Sequence, residues 1–331
     1  MAGGLKGDAM DCEASTENRP RIGCATPSQL ERQLTLQQLR VFKSVVEHRN
    51  FTRAAEALFL TQPAVTHHVQ ALAKTMGQPL FTGRGTTALT PLGEIVYEKA
   101  CHILADLRDL TEAVEDVESL RAGTVRVAGD ATFGTYILPR AVSAFRSVFP
   151  DIDVQLAVAN GSSIRDRLLR REAELGVVGR LWQDDRIRSQ PVMENALGCY
   201  CAPTSPLAYR APVELAELTD GALLLREPGS GLSDAVRRLF SDAGLHLRPA
   251  MEIADNEARK RAAIEGLGVA VLSTYAVRSE LAVGLLVPLL VEGFPVRQTW
   301  HAVWLNDHEL PRSAEAFRAF LCAESWGDAS R

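Results

Sequence analysis

Gln62, Thr66, His67 and Gln70 are hydrogen-bonding side chains spaced so that a helix would gather them on one face, the chemistry needed to touch base-pair edges. A Gln side chain pairs bidentately with adenine. A Thr hydroxyl donates or accepts while its methyl meets a thymine methyl, and His donates to a base acceptor or, when charged, to a phosphate. Pro63 and Lys74 fall on the same side at about 100° per residue. Val65, Val69, Leu72 and Met76 form the opposite, apolar stripe, with His68 beside it and so less suited to reading bases.

The elements that must position this face are marked by caps. Thr52 is expected to cap a short helix, Arg53 to Leu58, and Thr61 a second one after a turn at Phe59 and Leu60, with Pro63 in its first turn, where the missing N–H costs little. Two helices joined by so short a turn form a helix-turn-helix, whose second helix enters a major groove. An amphipathic helix alone has the same pattern, and charge helps to separate the two readings. The chain carries −5 overall, yet between Leu34 and Thr90 Arg40, Lys43, Arg49, Arg53, Lys74 and Arg84 face only Glu47 and Glu56.

This stretch resembles the LysR-type bacterial transcriptional regulators in Leu39, Phe42, Phe51-Thr52-Arg53-Ala54-Ala55, Thr61-Gln62-Pro63-Ala64-Val65-Thr66, Leu72, Gly77, Leu80-Phe81, Leu89-Thr90 and Gly93. The resemblance implies a winged helix-turn-helix over 34–92, with Thr52, Arg53, Gln62, Pro63, Thr66, His67, Gln70 and Arg84 as the DNA-contacting residues. Two positions depart from the family pattern. Ala73 stands where a Glu is usual, and the wing, Thr82 to Ala88, is one residue short, with Arg84 as its one arginine.

From Ala100 the apolar positions Ala100, Ile103, Leu107, Leu110, Val114 and Val117 follow heptad steps, with Asp106, Asp109, Glu112, Glu115, Asp116 and Glu118 outside them. This seam suits a partner helix, or packing on the chain's own domain. The resemblance implies a dimerising linker helix over 93–121, a homodimer or homotetramer, double-stranded DNA with an interrupted palindrome as target, and RNA polymerase as a partner.

Beyond Gly123 short β-rich runs alternate with helical ones: strands at Thr124–Ala128, Val154–Ala159, Leu175–Val178, Leu223–Leu225, Met251–Ala254, Val269–Leu272 and Trp300–Trp304, and helices at Leu138–Phe149, Ser163–Arg171, Asp234–Ala243, Asn256–Glu265 and Ser313–Leu321. Such alternation predicts α/β lobes on parallel sheets. The resemblance implies a periplasmic-binding-protein-like effector domain over 122–325, with lobe I at about 122–200 and 300–325 and lobe II at about 201–299. Ligands in such folds bind at strand ends, where loops lead into helix N-termini. Asp130 and Thr132, Asn160 and Ser162, Glu227 and Ser230, and Asn256 occupy four such loops, and Gly229 and Gly231 let backbone amides turn toward an anion. The Arg226-to-Gly231 run is similar to that of carbon-fixation regulators within the family. Those relatives continue with Thr-Arg where this chain has Leu232-Ser233, leaving Arg180 and Arg226 either to supply the missing charge to a small anionic effector or to form surface salt bridges.

Other classes fit less well. The six cysteines are scattered and Cys199 and Cys201 lack a second pair, which predicts structural thiols in a reducing cytoplasm and no metal or cofactor. Gly229-Ser230-Gly231 lacks the spacing of a nucleophile elbow and no His-Glu-x-x-His occurs, so no catalytic residues are expected. No apolar run is long enough to span a membrane, and residues 1–33 read as a disordered extension or a mis-assigned start rather than a signal. The alternative is a two-lobed solute-binding protein, or an enzyme, with an unrelated N-terminal helical module.

Overall fold

Helices α1 (Leu36–His48), α2 (Phe51–Ala57) and α3 (Gln62–Met76) close around Val41, Val45, Ala54, Ala55, Val65 and Val69 in the computed structural model. The structure describes residues 33–83, 86–118, 123–228, 230–323 and 326, so Arg84, Gly229 and nearly all of the N-terminal extension lie outside the described residues. The chain divides into two units between Ala100 and Cys101.

Each helix of the first unit starts on a side-chain cap. Thr35 and Gln38 form a capping box on α1, and Thr61 accepts from the Ala64 N–H at the start of α3. Helix α2 corrects the sequence expectation. Its cap is Asn50, whose extended backbone lets the side-chain oxygen accept from the Thr52 and Arg53 N–H groups at 2.8 and 3.1 Å, and Thr52 already lies inside the helix. Asn50→Ala is therefore expected to cost this unit about 1 kcal/mol in urea denaturation, while Thr52→Ala stays within about 0.5 kcal/mol. Equal losses from the two would restore Thr52 as the cap. Phe81 packs on Phe42 and Phe51, with ring centroids 5.5 and 5.7 Å away, and its antiparallel bridge to Leu89 forms the base of the wing.

Helix α4 (Pro91–Glu118) follows. From Cys101 onward the helix belongs to the second unit and is bonded within it: His102 Nε2 lies 2.7 Å from the Leu169 carbonyl, Arg108 donates to the Arg171 carbonyl at 2.8 Å, and His308 meets Asp109 at 3.1 Å. Cys101, Leu104 and Ala105 are buried, while Ile103 and Leu110 of the expected seam are exposed. The side chains of Val114 and Val117 lie outside the described residues.

The second unit is built on one mixed sheet. Strand β1 (Gly123–Gly129) lies between β2 (Ile152–Val158) and β3 (Leu175–Val178), all parallel, and β5 (Leu223–Leu225) lies between β6 (Met251–Glu252) and β7 (Val269–Ser273), also parallel. Two long antiparallel strands, β4 (Ile187–Cys201) and β9 (Val296–Leu305), join these halves, and the order is β2-β1-β3-β9-β4-β7-β5-β6. The short β8 (Val287–Leu289) pairs with the end of β4. Strand β4 runs beside β9 as far as Leu197↔Val296 and beside β7 from Leu197 to Tyr200, so the handover between lobes falls at Leu197. The entirely buried runs of β3, β5 and β7 are those of strands covered on both faces. Phe145, Phe317 and Trp300 anchor the core of the first lobe, and Val236, Phe240 and Val271 that of the second.

Candidate functional site

The polar face of α3 is formed as the spacing predicts. Gln62, Pro63, His67, Gln70 and Lys74 are exposed and Thr66 is half-buried, opposite the buried Val65, Val69 and Leu72. Met76 is only half-buried, and Thr75, donating to the Ala71 carbonyl at 3.0 Å, takes part of the buried face. Thr66 donates to the Gln62 carbonyl at 3.0 Å, and the Gln62 amide reaches the Thr66 hydroxyl at 3.3 Å, so the two side chains hold one another at the start of the helix. His68 is half-buried, its ring edge-on to that of His67. Thr52 and Arg53 are exposed on α2.

In the second unit a cleft of about 1030 Å³ opens between the lobes. Asp130, Thr132, Asn160, Ser162, Arg180, Glu227 and Ser230 line it. Asn256 stands behind the wall, buried, and its amide donates to the Thr132 hydroxyl at 3.2 Å.

The loop residues have a second occupation as helix caps. Asp130 caps α5 (Ala131–Tyr136), which α6 (Leu138–Val148) follows, Asn160 caps α7 (Gly161–Leu169), Ser230 caps α8 (Gly231–Asp242) and Asp255 caps α9 (Asn256–Ile264). Asp130 is the most committed. One oxygen accepts from the Thr132 and Phe133 N–H groups at 3.0 and 2.9 Å, the other from Gly179 N–H at 3.1 Å and Trp300 Nε1 at 2.9 Å. Four donors and no facing acceptor are the pattern of an ionised carboxylate. Burial raises its pKa on balance, against the pull of the Phe133, Trp300 and Thr132 N–H groups and of the Arg226 charge. Asp130 therefore ties β1, β3 and β9 together and has no free lone pair to offer a ligand.

Sequence reasoning missed the cleft floor. Asn195, Leu197, Gln298 and Trp300 come from the crossing strands, where Asn195 and Gln298 are direct cross-strand partners. Trp182, Arg165 and Arg238 also line the cleft. Among the described residues no three metal-ligating side chains gather, Cys199 and Cys201 are buried with their thiols pushed up by desolvation, and no helix is long and apolar enough to cross a membrane.

The model of the bacterial regulatory helix-turn-helix protein, lysR family, matches residues 36–94, and the LysR substrate binding domain matches 118–325. The chain belongs to the LysR family of bacterial transcriptional regulators. A RuBisCO operon transcriptional regulator of Allochromatium vinosum is 35% identical over 88% of this chain and 97% of its own. The regulatory domain of Synechocystis PCC6803 CcmR, solved in complex with 2-PG, is 32% identical over 61% of this chain and 96% of that one, with a TM-score of 0.57. Full-length CbnR in complex with its target DNA shares the fold across 87% of this chain and 99% of its own, at 21% identity and a TM-score of 0.66. This LysR chain thus joins a helix-turn-helix to an α/β effector-binding domain, and its curated relatives are regulators rather than enzymes.

Proposed function

We propose that this LysR-family regulator reads an interrupted palindrome in double-stranded DNA and answers to a small anionic metabolite held between its two lobes. The observation that carries the DNA part is the exposed Gln62-Thr66-His67-Gln70 face at the capped N-terminal end of α3, where a recognition helix meets base edges. Thr52 and Arg53, and Arg84 in the wing, serve the phosphates. The exposed Ile103 and Leu110 on α4 support a homodimer, paired again into a tetramer, that acts on RNA polymerase in the cytoplasm. On this reading the reader ends at about 92, the linker helix occupies 93–121, and the effector domain 122–325.

The anion reading rests on the cleft itself. Arg165, Arg180, Arg226 and Arg238 stand in its wall, which also includes the N-terminal ends of α7 and α8. The 2-PG bound by the CcmR regulatory domain, 2-phosphoglycolate, has the matching chemistry.

The test is selection of bound fragments from a sheared genomic library by the purified protein, beside a Gln62→Ala, Thr66→Ala, His67→Ala triple variant. An interrupted palindrome enriched by wild type alone is the expected result, and no enrichment by either protein would remove α3 as a reader. Within that face, His67→Ala should change base preference at one position by about 1–3 kcal/mol. His68→Ala should leave preference intact. Uniform weakening on all sequences by both would reduce the pair to phosphate contacts.

A further inference from the structure

Three arginines of the cleft wall are already occupied by carboxylates of the chain itself, and the three pairs are not held equally. Arg165 bonds Asp184 at 2.5 Å, and this carboxylate, nearly buried, also takes Arg186 at 2.9 Å. Two cations on one shielded acid make a fixed pair. Arg180, in the first lobe, pairs with Asp234 on α8 of the second, and the arginine is about half exposed. Arg226, at the end of β5, is 11% exposed and is paired with its own neighbour Glu227 at 2.6 Å, a carboxylate itself 38% exposed.

Behind Arg226 lies a second guanidinium that forms no ion pair among the described residues. Arg259 is fully buried, and its Nη groups donate to the Ile253 carbonyl at 3.1 Å and to Asn256 Oδ1, while its Nε has no hydrogen-bond partner among the described residues. Desolvation, and next the nearby Arg226 charge, lower its pKa to about 10. Two guanidiniums withdrawn from water thus lie near one another, Glu227 touching Arg226 while Glu227 and Asp255 act on Arg259 only through space, and desolvation outweighs that compensation.

We propose that Glu227 is a placeholder for an acid group of the effector, which displaces it from Arg226, and that Asp234 on Arg180 is its counterpart across the cleft, so that the site selects small molecules with two acidic groups. The inference rests on the anion reading of the cleft. The exchange leaves the charge on each arginine compensated, and each freed carboxylate moves from partial to full hydration. Because Arg180 and Asp234 belong to different lobes, losing that pair also removes a contact between the lobes. Ligand binding and lobe geometry are thereby coupled.

A placeholder occupying its arginine lowers apparent affinity by the fraction of time the site is free. The test is calorimetric titration of the full-length protein with 2-PG and with inorganic phosphate, for wild type, Glu227→Gln and Asp234→Asn. Both substitutions keep side-chain shape at partly solvated positions, and a thermal transition checks folding. Glu227→Gln should tighten both ligands about five- to tenfold, and Asp234→Asn should do so for 2-PG but not for phosphate, whose single acid group sits on Arg226. If wild type binds and Glu227→Gln binds equally or more weakly, Glu227 is a ligand or a bystander and the placeholder is ruled out. Tightening of phosphate by Asp234→Asn as large as that of 2-PG would overturn the two-acid selectivity. If wild type and Glu227→Gln bind neither anion, the anion reading of the cleft fails, and the exchange with it.

Discussion

Gly93→Ala is expected to abolish operator binding by disrupting the first unit, with the second unit left folded. A Cβ at position 93 would lie 2.1 Å from the Leu80 carbonyl oxygen, 3.1 Å from the Leu80 carbonyl carbon and 3.1 Å from a Leu89 methyl. A side chain moves aside cheaply, but a main-chain carbonyl does not. This oxygen already accepts the Thr90 N–H at 3.0 Å, and the Thr90 hydroxyl donates to the Pro79 carbonyl at 2.9 Å while accepting from Gly93 N–H at 3.0 Å. The methyl must therefore push the start of α4 away from the segment that carries Phe81, and Phe81 is the ring on which Phe42 and Phe51 pack.

The cost should be about 3 kcal/mol, the upper end of the usual range for forcing extra volume into a packed site. Hydrogen exchange read by mass spectrometry locates the damage. Amides of α1 to α3 should lose protection while those of β3 and β7 keep theirs. Gly83→Ala supplies the control inside the same wing, because among the described residues its Cβ would meet only the Thr86 methyl, at 3.4 Å. If Gly93→Ala binds DNA as well as Gly83→Ala does, the close packing of α4 on the Leu80 carbonyl is not what sets the wing.

How much of this was legible from sequence depends on whether one local signal had one cause. Strands β3, β5 and β7 could be read because they are buried on both faces and so appear as uninterrupted apolar runs. Strand β4 could not. It contains Pro191, Glu194, Asn195 and Gly198, changes partner from β9 to β7, and shifts register between Pro191 and Met193, so no single alternation survives along it. With β4 unread, the Asn195–Gln298 floor of the cleft was hidden too. Helix α5 is only six residues long, too short for a period to show. The α2 cap went to Thr52 instead of Asn50 because both residue types accept from first-turn amides, and only the backbone conformation separates them. The same ambiguity governs the cleft. Asp, Asn and Ser at loop-to-helix junctions were read as ligand contacts, and the structure finds Asp130, Asn160 and Ser230 capping helices there. Residues of three of the four loops line the cleft and Asn256 of the fourth stands behind it, and which oxygens remain free depends on hydrogen bonds that no spacing encodes.

Asp130→Ala should cost the second unit about 4 kcal/mol, close to the limit that a single substitution reaches. Loss of the α5 cap accounts for about 1 kcal/mol. The Gly179 N–H and the indole N–H of Trp300, which is 1% exposed, lose their acceptor, at about 1–3 kcal/mol each. Asp130→Asn should cost about 2 kcal/mol, since its remaining oxygen can keep the cap while its NH₂ group faces two donors, the Gly179 and Trp300 N–H groups, with nothing to receive them. The ranking of the two in urea denaturation, followed by tryptophan fluorescence, separates a hub that holds donors from a simple cap, because a cap alone predicts about 1 kcal/mol for Ala and nearly nothing for Asn. Gly129 and Gly134 show why the position is so exposed to damage: a Cβ on Gly129 would lie 2.7 Å from the Gly134 Cα, so α5 sits directly against the end of β1 and has no room to shift when its anchor is lost. Trp300 pairs edge-on with Phe133 at 5.2 Å and lines the cleft, so disturbing its anchor disturbs the cleft floor. Effector affinity in Asp130→Ala should consequently fall with stability and recover when the fold is restored, for instance by a neutral osmolyte such as sucrose, because neither Asp130 oxygen was available to the effector in the first place.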